Sequence, residues 1–131
     1  MRFESQPVPK FRYCPAVRRG PFVQTAGMVG LSPDTNDLVI GGAVEEFKQI
    51  LRNLSALMVE NEISLESMMS ATIYTSVFHK FPELNRVWDE YFETATTLPA
   101  RSAVGVSQLP IGAQVEADFL FYVSETKLEK S

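Results

Sequence analysis

Cysteine and histidine, which often supply metal ligands and catalytic groups, are nearly absent from this sequence. Among its 131 residues there is one cysteine, Cys14, and one histidine, His79. A single cysteine excludes an internal disulfide and fits a reducing compartment. A nucleophilic cysteine needs a neighbouring base, and the sequence indicates none for Cys14. His79 lies at a predicted strand-to-helix junction, a position typical of a surface or capping residue. Because neither CxxC nor HExxH occurs, we expect no metal site and no cofactor.

Clusters of basic residues and long apolar runs are also missing. Lys and Arg number 12 against 16 Asp and Glu, which gives a net charge of −4. The only basic pair is Arg18-Arg19, so we expect no nucleic-acid partner. No apolar run reaches the length of a bilayer span, and residues 1–10 lack the apolar core of a signal peptide. We therefore expect a cytoplasmic protein that does not bind membranes.

The glycines do not form a phosphate-binding loop. Gly27, Gly30, Gly41 and Gly42 are not followed by Gly-Lys-Ser or Gly-Lys-Thr, the sequence that such a loop requires. Turns are the simpler interpretation of these four positions.

Two helices and at least five strands are predicted from the spacing of apolar residues. Residues 44–60 and 81–94 each carry an apolar stripe at three- and four-residue spacing, which is typical of amphipathic helices. Segments rich in β-branched and aromatic residues predict strands. These strands are 16–18, 22–26, 68–77, 101–106 and 114–123, with the short apolar run 38–40 as an additional candidate. We expect a frayed tail at 126–131.

This order of elements predicts an α+β fold in which both helices cover one face of a mixed sheet. In the last strand, alternate residues from Val115 to Val123 share one face, and Leu120 and Tyr122 belong to the other. The second face would leave Val104 and Tyr122 in water. We therefore expect an oligomer that covers this face.

Two charged residues occur in otherwise apolar strand segments. Arg101 opens one strand, and Glu116 lies near the start of the next. Charges in strand interiors are costly unless they are paired or used. The residues alone favour a structural Arg–Glu pair, or two charges at solvent-facing strand ends, over a functional pair.

The segments around these two residues form a motif. Pro99-Ala100-Arg101-Ser102, Leu109-Pro110 and Val115-Glu116 together resemble the C-terminal signature of the RidA/YjgF family. The resemblance extends upstream through residues 16–20, 25–27 and Asn85. It covers about residues 13–123 of what we expect to be a single domain spanning 1–131.

The resemblance implies both a fold and an activity. The fold would be a chorismate-mutase-like α+β domain that assembles as a homotrimer with clefts between subunits. The activity would be hydrolytic deamination of reactive enamines such as 2-aminoacrylate, and of the 2-imino acids they form, to 2-oxo acids and ammonia. Arg101 would hold the substrate carboxylate and Glu116 would orient or activate water. Tyr13, Gly27, Asn85 and Ala103 would complete the substrate-binding site.

The chemistry fits these residue types, because a guanidinium binds a carboxylate through two hydrogen bonds and an imine carbon is already electrophilic. The family's usual Ser-Gly-Gln reads Ala26-Gly27-Met28 here, and Phe11-Arg12 replaces a usual Gly-Pro. The alternative is therefore a non-catalytic trimer that binds small carboxylates or partner proteins. A ribonuclease or translation-inhibitor role, also attached to the family, is disfavoured by the net charge of −4.

Overall fold

Five strands form one mixed sheet in the computed structural model, which describes residues 1–124. The sheet order is β1-β2-β5-β3-β4. Strands β3 and β4 run parallel, and the other neighbouring strands run antiparallel. The strands are β1 (Ala16–Arg19), β2 (Phe22–Thr25), β3 (Met68–Thr75), β4 (Ala100–Gly105) and β5 (Val115–Tyr122). The parallel step requires a crossover, and a helix supplies it.

The two helices are α1 (Ala43–Glu60) and α2 (Phe81–Tyr91), and both contribute to one hydrophobic core against the sheet. The buried side chains of α1 recur every three or four residues, as the amphipathic pattern predicts. Phe47, Ile50 and Leu54 are fully enclosed, and α2 adds Leu84 and Trp88. The predicted α+β architecture with a mixed sheet and two helices is confirmed.

The second sheet face lies uncovered in the single chain. Strand β5 alternates as predicted, since Val115, Ala117, Phe119 and Phe121 are buried and the residues between them point the other way. On that other side, Val104 is 40% exposed and Tyr122 is 47% exposed. We call this side the open sheet face, defined by Val17, Phe22, Gln24, Thr72, Tyr74, Val104, Glu116, Asp118, Leu120 and Tyr122.

Some predicted element ends were wrong. Helix α2 ends at Tyr91 instead of residue 94, because Phe92 leaves the helical conformation. Strand β3 ends at Thr75 instead of residue 77, because the Thr75 hydroxyl accepts a hydrogen bond from the Val77 N–H and the chain turns there. The candidate strand 38–40 does not form: Leu38 makes a single bridge to Leu31, and Ile40 is 97% exposed. The predicted tail 126–131 lies outside the described residues.

The N-terminal segment is anchored along α1. The Glu60 carboxylate accepts hydrogen bonds from the backbone N–H groups of Glu4 and Ser5, at 2.7 and 3.1 Å. Further along, the Gln6 amide donates to the carbonyl of Asn53 at 2.8 Å. These contacts lead the chain toward the end of the sheet, where Tyr13 lies beside the turn after β2.

Candidate functional site

Arg101 is the second residue of the edge strand β4, and its side chain lies over α2. The parallel register places Arg101 beside Ala71, whose side chain is buried under the helices. The Arg101 Nη1 donates a hydrogen bond to Asn85 Oδ1 at 2.7 Å. The guanidinium carbon lies 5.1 Å from the ring centroid of Trp88 and 5.3 Å from that of Phe81, within the range of cation–π attraction.

These contacts orient the Arg101 guanidinium. Asn85 takes one of the five N–H donors of an arginine side chain, so a two-pronged set remains for a carboxylate. Ala103 lies two residues along β4 on the same side of the sheet, opposite Ile73. Arg101, Asn85 and Ala103 therefore form one group, which we call the arginine half-site.

Glu116 lies on the other side of the sheet, on the open sheet face. It pairs with Tyr74 across β5 and β3. Its carboxylate packs directly on Gly27: a Cβ atom added at position 27 would lie 2.5 Å from Glu116 Oε2. A side chain at position 27 would displace the Glu116 carboxylate from this position, because real Cβ atoms do not approach so closely. Tyr13 and Gly27 line the same cavity as Glu116, with a volume of about 300 Å³. We call this group the glutamate half-site.

A local break in the strand pairing creates the glutamate half-site. Strand β2 ends at Thr25, whose hydroxyl accepts a hydrogen bond from the Phe119 N–H at 3.0 Å. Pairing with β5 resumes at Met28 and Ala117, which exchange backbone hydrogen bonds of 2.7 and 3.0 Å. The residues between, Ala26 and Gly27, are looped out of the ladder and line the cavity.

The environment of Glu116 makes its carboxylate a stronger base than an exposed one. Burial raises the pKa of Glu116, and the negative charge of the neighbouring Asp118 raises it further. Burial also raises the pKa of Asp118 itself. A carboxylate with a raised pKa is better suited to accept a proton from water near neutral pH.

The two half-sites do not meet within one chain. Arg101 is directed to the helix-covered side of the sheet and Glu116 to the open sheet face, with β3 between their strands. Within residues 1–124, the ion pairs are Arg2–Glu4 at 3.6 Å and Lys48–Glu45 at 3.8 Å. Of the two structural interpretations that the sequence favoured, the Arg101–Glu116 pair is therefore wrong for a single chain, because the strand registers give the two side chains opposite directions.

Several residues of the half-sites were missed by the sequence interpretation. Trp88 lies within residues 81–94, for which the sequence predicted only an apolar helix stripe, and nothing in the sequence indicates that its ring lies near Arg101. Ile111 also went unnoticed, although it lines the cavity beside Glu116. Its backbone has a φ of 54°, which is unusual for a β-branched residue and costs on the order of 1–3 kcal/mol.

The single histidine and the single cysteine belong to neither half-site. His79 is exposed in the short 3₁₀ turn Phe78–Lys80, and Cys14 is an exposed free thiol. Among residues 1–124, no three His, Cys, Asp or Glu side chains converge in a way that could hold a metal ion. Over the same residues, neither helix combines the length and apolar character needed to cross a bilayer.

Comparison with known proteins agrees with this fold and extends over nearly the whole chain. The family described as Endoribonuclease L-PSP matches residues 3–123. A RutC family protein of Aquifex aeolicus is 37% identical, over 87% of this chain and 90% of its own length. A 2-iminobutanoate/2-iminopropanoate deaminase of Dermatophagoides farinae is 32% identical, over 89% and 90% of the two chains.

A solved structure shows the same architecture. RidA from an Antarctic Psychrobacter species superimposes with a TM-score of 0.86 and 27% identity, over 93% of this chain and 97% of that one. Residues 3–123, which the Endoribonuclease L-PSP family matches, include all five strands and both helices. The resemblance that the Arg101 and Glu116 motifs indicated is thus confirmed, and the chain belongs to the RidA/YjgF family.

Proposed function

We propose that this protein hydrolyses reactive enamines and 2-imino acids to 2-oxo acids and ammonia, at sites shared between three copies of the chain. The observation that carries this proposal is the pair of complementary half-sites. One presents an oriented guanidinium, and the other presents a half-buried carboxylate of raised pKa over a glycine. Neither half can both hold a carboxylate and activate water by itself.

The open sheet face supplies the reason for assembly. It exposes the apolar side chains of Val17, Phe22, Val104 and Tyr122. Phe22 and Tyr122 stack edge to face at 5.4 Å, which forms a continuous aromatic patch across β2 and β5. A surface of this kind favours burial against another copy. Such a copy would bring its Arg101 toward the glutamate half-site of its neighbour.

The chemistry of the shared site follows from the two groups. Arg101 binds the substrate carboxylate through two parallel hydrogen bonds, and Asn85 with the two aromatic rings fixes its orientation. An enamine first tautomerises to the imine, as its β-carbon gains a proton from solvent and its nitrogen loses one. Glu116 accepts a proton from water while the oxygen attacks the imine carbon, and it passes this proton to the nitrogen to give the carbinolamine. The hydroxyl proton of the carbinolamine then moves to the nitrogen through Glu116, the C–N bond breaks to release ammonia, and the carbonyl of the 2-oxo acid remains. Positioning and one general base are sufficient.

The relative from Dermatophagoides farinae is named 2-iminobutanoate/2-iminopropanoate deaminase, and this name supports the proposal. A second candidate is a trimer that binds small carboxylates without turnover. The positions Ala26 and Met28 favour it, because they put apolar side chains where the family usually has a hydroxyl and an amide. An RNA-cleaving role has less support, since the chain carries a net charge of −4 and RNA binding needs clustered basic residues.

The first prediction concerns assembly. Because the open sheet face is apolar and each half-site lacks its counterpart, we expect light scattering to give a mass about three times the 14.7 kDa of one chain. Val104→Glu, which adds a charge to that face, should reduce this mass. A wild-type mass of one or two chains would contradict the shared-site arrangement.

The second prediction concerns Arg101. Arg101→Lys should lower kcat/KM for a 2-imino acid by about 10²-fold or more, because one ammonium cannot reproduce a two-pronged contact. The melting temperature should change little, since Arg101 is exposed. Arg52→Lys, an exposed position on α1, is the matched control and should retain activity. A large fall in melting temperature with intact activity would show that Arg101 is structural.

The third prediction separates the enzyme from the binding protein. Glu116→Gln keeps the size of the side chain but removes its basicity, so kcat should fall by about 10²–10⁴-fold. Affinity for a 2-oxo acid such as pyruvate should persist through Arg101. In the wild type, kcat should decline as pH falls through the raised pKa of Glu116, because the protonated acid cannot accept a proton.

This acid limb should be absent from the residual activity of Glu116→Gln. Glu90→Gln, at an exposed position of α2, is the control and should leave the pH profile unchanged. If the wild type turns over no 2-imino acid, yet binds pyruvate as tightly as Glu116→Gln does, the deaminase proposal fails and the binding protein takes its place.

A further inference from the structure

We propose that the glutamate half-site selects 2-imino acids with a branched or unbranched apolar side chain of about four carbons or more, and that Ile111 is the residue that sets this preference. This inference rests on the proposed deaminase function and specifies its substrate class. It is carried by the composition of the cavity wall and by the backbone conformation of Ile111.

The wall of the cavity beside Glu116 is mostly apolar. Its hydrocarbon surface comes from three separate parts of the chain: the N-terminal segment, the segment after β2, and the turn before β5. The side chains concerned are Phe11, Val29, Leu31, Pro110 and Ile111. The lining side chains that carry a charge or hydroxyl are Lys10, Tyr13 and Glu116. A polar substituent on the substrate would therefore meet few partners, and an apolar one would leave water for hydrocarbon.

The volume of the cavity exceeds what the smallest substrates need. It measures about 300 Å³, at the lower end of the range of small-molecule pockets. An imino acid derived from alanine presents a single methyl group to such a space. Once its carboxylate lies on a neighbouring Arg101 and its imine carbon faces water at Glu116, the third substituent is the part left to contact the apolar wall.

Ile111 is the least expected member of this wall. It lies between Pro110 and Gly112 with φ 54° and ψ 22°, a left-handed conformation that suits glycine or asparagine. The turn alone does not require a β-branched side chain, and its backbone would be relaxed without one. An isoleucine in this conformation is strained. Compared with glycine or asparagine, it contributes an apolar side chain to the cavity wall. Strain of this kind is characteristic of functional sites.

The preference can be measured with two imines generated in place by an amino-acid oxidase, one from leucine and one from alanine. We expect kcat/KM for the leucine-derived imine to exceed that for the alanine-derived imine by about tenfold or more. Calorimetry gives a second readout that does not need turnover: 4-methyl-2-oxopentanoate should bind about tenfold more tightly than pyruvate.

Ile111→Asn tests the role of the side chain, because asparagine tolerates the left-handed conformation and removes the apolar surface. The leucine-to-alanine ratio of kcat/KM should collapse toward one, with the melting temperature unchanged or raised. Ile111→Gly should do the same and guards against an effect peculiar to asparagine. Ile40→Asn is the matched control: Ile40 is 97% exposed and lies outside the cavity lining, so the ratio should stay at the wild-type value.

The outcomes separate this inference from the proposed function. If the wild type hydrolyses both imines equally, or prefers the alanine-derived one, the selectivity is overturned and the deaminase stands. An unchanged ratio in both Ile111 variants overturns the role of Ile111. If neither imine is hydrolysed but the branched 2-oxo acid binds more tightly and Ile111→Asn removes that preference, the cavity assignment stands and the deaminase fails. If there is neither turnover nor a binding preference, both fail.

Discussion

The alternation of side chains along a strand is the constraint on which the candidate site depends. Because successive residues face opposite sides of a sheet, the register of β3 with its two neighbours decides where Arg101 and Glu116 point. Arg101 lies beside Ala71, on the helix-covered side of the sheet, and Glu116 lies beside Tyr74, on the open sheet face. A one-residue shift in either register would put both on one side. The observed registers leave each chain with two incomplete halves, and the proposed assembly of several copies would bring complementary halves together.

Each half-site is preorganised by groups that do no chemistry themselves. Asn85 and two aromatic rings hold the guanidinium, so a carboxylate ligand would meet donors that are already aligned. On the other side, the looped-out residues Ala26 and Gly27 let the Glu116 carboxylate lie against bare backbone. Burial there raises its pKa and keeps it basic. The helix-covered core is the rigid support on which both arrangements depend.

Sequence patterns predicted the helices and strands well where the apolar periodicity was strong. They predicted them poorly where a local turn decides whether an element forms or where it ends. Phe47 and Leu54 on α1 and the alternation of β5 followed directly from spacing. The end of α2 and the absence of a strand at 38–40 depend on single backbone conformations that apolar patterns do not encode. Arg101 and Glu116 stood out as charges in apolar strands, but their separation could not be read from the sequence because it needs both registers. Ile111 gave no signal, since its importance lies in a φ angle.

The central claim is that Arg101 of one copy and Glu116 of another act in one site, and complementation tests it most directly. Chains carrying Arg101→Lys and chains carrying Glu116→Gln, each nearly inactive alone, would be co-expressed with different tags and the mixed oligomers purified through both. Every trimer that carries both tags has one junction of its three that joins an intact Arg101 to an intact Glu116, so about a third of wild-type activity should return. If both residues of a site came from one chain, the mixture would be no more active than its separate parents.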